Sequence, residues 1–167
     1  QDDEIFRTYR TLNGLAVQHQ AELVVWPESM MPYQILDADP SLTDKQLASL
    51  HALIPTERWK DRIVQKVLTS MSEESRASLI VGASTYIGKA GQEQSNHYNS
   101  AVLVQPGGIQ GRYDKIHRVP FGEYIPDRTF WRPFAPDLID LVGRECTPGT
   151  TDMVFDLKRL ITGINIC

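Results

Sequence analysis

Three observations predict an α/β fold for this chain. Ile5, Tyr9, Leu12 and Ala16 step by four, three and four residues, the spacing of one face of an amphipathic helix. Leu23 to Trp26 and Leu79 to Tyr86 are short runs of apolar and β-branched residues with the length of buried strands. Pro106-Gly107-Gly108 then separates two more strand-like runs at the distance of a hairpin.

The elements follow in order. The first periodic stretch predicts a helix over about residues 4–20. The apolar run from Leu23 predicts a buried strand that Pro27 ends. Residues 32–42, with Pro32 and Pro40 among Asp37, Asp39 and Ser41, read as a loop. Thr43 and Gln46 have the spacing of a capping box, and Leu47, Leu50 and Leu53 continue the helix it opens until Pro55. Trp59, Ile63, Val67 and Met71 form a second helical stripe. A strand over Leu79 to Tyr86 leads through a polar turn at 88–95 into a strand over His97 to Gln105. Ile109 to Tyr113 returns as its hairpin partner. Residues 118–150 are Pro-rich with little periodicity, a long loop of the kind that tends to be functional. Met153 to Leu157 and Leu160 to Ile166 predict a last pair of strands. No repeat or linker divides the chain, so residues 1–167 read as one domain.

Composition bounds the function. Seventeen Lys and Arg against 21 Asp and Glu give a net charge of −4, with 41% hydrophobic residues. That balance fits a globular domain and excludes a disordered tail or a disulfide-dense scaffold. Without a basic cluster, nucleic acid is a poor partner. No apolar run is long enough to span a bilayer, and no signal peptide is present. The chain enters a helix at once and ends on a strand-like run, which reads as a piece of a longer protein.

Three places carry chemistry. In Trp26-Pro27-Glu28-Ser29, a carboxylate sits at the C-terminal edge of a strand, where ligands of open α/β sheets gather. In Arg112-Tyr113-Asp114-Lys115-Ile116-His117, a hairpin strand delivers Lys115 to the same edge. In Gly163-Ile164-Asn165-Ile166-Cys167, a cysteine ends a buried run, the position of a nucleophile elbow. Taken singly, these read as a solvated Glu, a surface Lys and an inert buried Cys. Taken together, they make a set. Glu28 would draw the proton from Cys167, and the Lys115 ammonium would stabilise an oxyanion and keep the carboxylate ionised. The four His are scattered, with no i,i+4 pair and no neighbouring Cys, so no metal site is expected. No cofactor motif is present, and Cys146 is expected to form no disulfide. His117 reads as a structural histidine. Tyr124, Phe130, Trp131 and Phe134 read as loop residues on the core, or as an apolar lid beside the site.

This Glu–Lys–Cys order resembles the nitrilase superfamily of carbon-nitrogen hydrolases. The run Tyr113-Asp114-Lys115-Ile116-His117-Arg118-Val119-Pro120-Phe121-Gly122-Glu123-Tyr124-Ile125-Pro126, with Trp26-Pro27-Glu28-Ser29, narrows the resemblance to its apolipoprotein N-acyltransferase branch. Arg118 stands where that branch has Leu. The resemblance implies an α-β-β-α sandwich, cut short here at both ends. It implies Glu28 as general base, Lys115 as oxyanion lysine, Cys167 as nucleophile and Glu123 as a supporting glutamate. Asn99, in Tyr98-Asn99-Ser100, matches a stretch read as hairpin support. It further implies a phospholipid acyl donor, a lipoprotein acceptor and a place at the bacterial inner membrane, with this domain on the periplasmic side. The membrane segments would lie outside this sequence. A soluble nitrilase-type amidase or carbamoylase would carry the same triad, with water as second nucleophile. As given, the piece is expected to be inactive.

Overall fold

The computed structural model describes residues 1–134, 145–157, 161–164 and 166. Helix α1 (Asp2–Gln18) leads into the long strand β1 (Leu23–Ala38). Helices α2 (Asp44–Leu50), α3 (Thr56–Asp61) and α4 (Ile63–Ser75) then cross over to β2 (Ser78–Gly88). β3 (Asn96–Gln105) and β4 (Gly108–Asp114) follow as a meander. After the short α5 (Arg128–Trp131) come β5 (Val154–Asp156) and β6 (Ile161–Gly163). The main sheet has the order β1-β2-β3-β4, with β1 parallel to β2 and the other neighbours antiparallel. A parallel pair needs a long crossover, which α2 to α4 supply. β5 and β6 form a separate antiparallel pair.

Alternation along the strands sorts the core into two faces. Trp26, Met31, Leu79, Val81, Ala83, Val102 and Val104 face the helices, where Leu68 and Met71 of α4 and Phe6 and Tyr9 of α1 meet them. Ile80, Ala101, Leu103 and Tyr113 face the other way, onto Phe155 and Ile166. Fully burying a side chain such as Phe155 contributes about 2–3 kcal/mol. Helix, sheet and strand-pair layers are therefore stacked, and β2, covered on both faces, is free of polar side chains from Leu79 to Ala83. A third cluster, Leu36, Leu42, Leu47, Leu50, Ile54 and Trp59, ties α2 and α3 to the far end of β1.

Several expectations are corrected. The segment 32–42 is not all loop, because β1 continues to Ala38. Proline is tolerated there because β1 is an edge strand and Pro27 and Pro32 fall where its register with β2 shifts. Buried Met31, Ile35 and Leu36 then hold the strand to the core. α2 stops at Leu50, which leaves Leu53 86% exposed. The stripe from Trp59 to Met71 belongs to two helices, since Arg62 takes φ +48° between them. This break rotates the buried face, leaving Ile63 exposed and burying Leu68. On α1, Leu12 is exposed, and the contact face is carried by Phe6 and Tyr9, with ring centroids 6.3 and 5.0 Å from Trp26. The Thr43–Gln46 capping box, the 88–95 turn, the β3–β4 hairpin and the β5–β6 pair lie where the sequence puts them.

Candidate active site

Glu28 is presented by an irregularity in β1. The strand is in register with β2 at Trp26 and resumes at Met31, and between them Ser29 adopts φ +58°. The bulged backbone lies directly on Gly82 of β2. A Cβ at Gly82 would come within 2.3 Å of the Pro27 carbonyl oxygen and 2.7 Å of Glu28 Cα. A glycine at this point on β2 is therefore what lets the Glu28 backbone approach the sheet. Trp26, buried against α1, anchors the bulge on one side. The Glu28 side chain remains 38% exposed, open to a substrate.

Lys115 follows immediately after β4, and its backbone N–H donates to the Asn99 carbonyl at 2.8 Å. Its side chain is only 2% exposed, and its ammonium is held by two carboxylates. Nζ lies 2.9 Å from Glu28 Oε1 and 3.1 Å from Glu123 Oε1. Asn99, on β3, donates through the same Nδ2 to Glu28 Oε1 at 2.6 Å and Glu123 Oε1 at 2.9 Å. Glu123 Oε2 accepts from the Val119 N–H at 2.9 Å, which folds the 119–123 turn around its own side chain. A buried cation is thus fully paired, as such a charge must be.

The charge states follow from this pairing. Burial draws the Lys115 amine down, but hydrogen bonds and charges from Glu28 and Glu123 outweigh it and hold the group above its ordinary range. Burial pushes the Glu123 carboxyl up, but hydrogen bonds from Asn99, the Val119 N–H and Lys115 outweigh it and hold the carboxyl below its usual range. Lys115 is therefore a fixed ammonium at neutral pH. It is suited to receive negative charge on a substrate oxygen and not to act as a base.

Glu28, Lys115 and Glu123 thus come together from three separate segments. Cys167 lies outside the described residues. Its neighbour Ile166 is buried, and with Glu28, Trp26, Gly82, Ala101 and Ile164 it lines a cavity of about 190 Å3. Asn99 does more than support the hairpin, since its amide joins both carboxylates. Its place in Tyr98-Asn99-Ser100, a buried polar pair at the head of the apolar run Ala101 to Val104 of β3, is the available signal. His117 is exposed. Of the loop aromatics, Phe130, Trp131 and Phe134 gather on one another with Phe121, and Tyr124 lies apart under the Arg118 guanidinium. Phe121 and Phe130 meet Trp131 edge-on at 5.9 and 5.4 Å, and Phe130 and Phe134 are strongly exposed. Cys146, distant in sequence from any His, is brought 3.7 Å from His97 Nδ1. Burial, with the Glu123 carboxylate nearby, pushes its thiol up to about 11, so it is no ready thiolate. Among the described residues, no His, Cys, Asp and Glu group could hold a metal ion, and no helix is long and apolar enough to cross a membrane.

A glutamate on a strand bulge and a buried lysine after a hairpin strand, on a sheet layered between helices and a second strand pair, define a class. Residues 2–167 match the carbon-nitrogen hydrolase family, and the chain belongs to it. Among curated proteins, it is similar to the apolipoprotein N-acyltransferases of Geobacter metallireducens (30% identical, covering 88% of this chain and 23% of the relative) and Chlamydia trachomatis (27% identical, covering 90% and 28%). The chain thus spans about a quarter of the length of these relatives. Among solved structures, it is similar to Saccharomyces cerevisiae Nit3, a member of branch 10 of the nitrilase superfamily. There the TM-score is 0.57 and the identity 16%, over 99% of this chain and 50% of that one. The fold is accordingly α/β of the nitrilase type.

Proposed function

We propose that this chain is the nitrilase-like domain of an apolipoprotein N-acyltransferase, acting at the bacterial inner membrane from the periplasmic side. The observation that carries the reading is the Lys115 ammonium, buried between Glu28 and Glu123 inside the long Tyr113 to Pro126 motif. The curated relatives, named apolipoprotein N-acyltransferase, support the specific activity. The exposed Phe130–Phe134 cluster, within the same loop as Glu123, supports a lipid-facing mouth, because such a surface is favoured at a membrane interface.

In this mechanism, the Cys167 thiol gives its proton to Glu28 and attacks the ester carbonyl of a phospholipid acyl chain. The oxyanion is held by Lys115 and by the backbone N–H that follows the nucleophile. Collapse of the tetrahedral intermediate expels the lysophospholipid alkoxide, which takes the proton from Glu28 and leaves a thioester. The α-amino group of a diacylglyceryl-cysteine at a lipoprotein N-terminus then attacks the thioester. Glu28 accepts the amine's proton and returns it to the departing thiolate. The thioester stores acyl activation while two large substrates exchange. Glu123 and Asn99 hold Lys115 and Glu28 in register.

The test is to mix the full-length protein with phospholipid, without acceptor, and examine the Cys167 peptide by mass spectrometry. A hydroxylamine-labile fatty-acyl adduct, missing in Cys167→Ser, is expected. An unmodified Cys167 in folded protein, together with ammonia release from small amides, would replace this reading with an amidase.

A further inference from the structure

Residues 145–149 touch both active-site segments without belonging to either. The Gly149 N–H donates to the Lys115 carbonyl at 2.9 Å, and the Cys146 N–H donates to the Glu123 carbonyl at 2.9 Å. Between those two contacts, Thr147 N–H donates to the carbonyl of His97, two residues before Asn99 on β3. Arg118, lying between Lys115 and Glu123 in sequence and stacked on the Tyr124 ring, returns a bond from its guanidinium to the Cys146 carbonyl at 2.9 Å. The segment is also fastened by side chains. Cys146 Sγ meets His97 Nδ1, the other ring nitrogen of His97 lies 3.2 Å from Ser84 Oγ, and the imidazole stacks on Tyr86 with centroids 4.5 Å apart.

This anchorage is close-fitting at one point. A Cβ at Gly149 would stand 2.0 Å from the Asp114 carbonyl oxygen and 2.7 Å from the carbonyl carbon, both backbone atoms of the residue before Lys115. No side-chain rotation relieves such a contact. The Lys115 peptide is therefore tethered on both sides, by Asn99 through its N–H and by Gly149 through its carbonyl. The Glu123 peptide hangs from the same strap.

We propose that residues 145–149 are a positioning strap that sets the distance between the Lys115 ammonium and its carboxylates, with Gly149 as the residue that fixes the gauge. The proposal rests on the reading of Lys115 as the oxyanion lysine and Cys167 as the nucleophile. None of the strap residues reacts: Gly149 acts through the backbone of Lys115, Cys146 through that of Glu123, which pairs with Lys115, and Thr147 fastens the strap to His97 on β3. An ammonium displaced by about an ångström from a developing oxyanion costs on the order of a hundredfold in rate, so a strap of this kind is worth retaining.

The test uses the full-length Gly149→Ala protein with two readouts. One is the rate of acyl-thioester formation from phospholipid. The other is the pH dependence of Cys167 alkylation by iodoacetamide, which needs no lipid. Thioester formation should slow roughly 10- to 100-fold with KM little changed. The alkylation midpoint should move to higher pH, because the displaced ammonium no longer favours the thiolate. Gly88→Ala, which sets a Cβ 2.3 Å from Leu50 Cδ1 at the far end of β2, should lower thermal stability and leave the midpoint in place. Arg118→Gln loosens the strap without crowding it and serves where Gly149→Ala does not fold. It should shift the midpoint in the same direction by a smaller amount. A folded Gly149→Ala, or in its place Arg118→Gln, with unaltered kcat and midpoint would overturn the proposal. A shifted midpoint in a protein whose wild type forms no thioester would leave the strap standing and remove the lipid-donor reading.

Discussion

Lys115 shows how one buried charge organises a site. Taking an ammonium out of water costs several kcal/mol, and only paired, hydrogen-bonded partners offset it. Here Glu28 and Glu123 provide those partners, and Asn99 keeps the two carboxylates from repelling each other by donating to both. Lys115→Met keeps the length of the side chain but leaves two carboxylates facing an apolar stem. It should lower unfolding free energy by about 3 kcal/mol and abolish thioester formation. Asn99→Ala removes only the bridging donors and should cost about 1–2 kcal/mol. Urea denaturation of both variants beside the wild type checks the order. Equal stability of Lys115→Met and wild type would mean that the ion pairs do not hold the site together. Glu28 and Lys115 are readable as candidates because their types and order beside Cys167 make chemical sense, whereas Glu123 is legible only through the family resemblance of the Tyr113 to Pro126 run. Asn99 reads from the sequence only as hairpin support, because an amide on a strand carries no chemistry until its neighbours in space are known.

The helices and strands differ in how local their causes are. α2 begins at a capping box written entirely within four residues, Thr43 to Gln46, with both reciprocal bonds present. Thr43→Ala should therefore lower stability by about 1 kcal/mol and leave thioester formation unchanged, since α2 supplies no side chain to the Lys115 cluster. Chemical denaturation with a parallel activity assay checks both parts, and a loss of activity at full stability would contradict them. β1 is the opposite case. Two prolines within it argue for a loop, and only its position at the sheet edge, with register shifts at both, makes the strand possible. The separation of α3 from α4 at Arg62 is likewise invisible in an apolar stripe that runs through it, because a single left-handed residue leaves no mark on periodicity.

The assembled molecule titrates as its buried cluster does. Lys115 is raised from its ordinary 10.5 in the folded state, so its contribution is fully present below that pH and is lost as pH rises through the folded value. Glu123 is lowered from 4.5, so its contribution is present above that pH and is lost as pH falls through the folded value. Stability should therefore hold from about pH 5 to 9 and fall on both sides, the alkaline fall beginning with the Cys146 thiol, which burial keeps protonated up to about 11 in the folded state. Replacing Glu123 by Gln should flatten the acid side in particular. Thermal melting across pH 3–11 measures both limbs, and an acid limb identical in Glu123→Gln would show that other carboxylates set it. The layered build matters for the same cluster. The sheet separates the apolar helix side from the side that carries Phe155 and Ile166, and the bulge at Glu28 opens at its margin.

From the sequence alone came the α/β class, the order of nearly all elements, the capped helix, the hairpin and the membership implied by the Tyr113 to Pro126 run. These rest on spacing, turn chemistry and residue type, which are local properties of a chain. The course of β1 beyond Pro27, the turn of the buried face at Arg62, the role of Asn99 and the grip of residues 145–149 on Lys115 and Glu123 came only from the folded arrangement. Each depends on contacts between residues 20 to 90 positions apart, such as Glu28 with Asn99 and Lys115, and no window along the chain contains both partners.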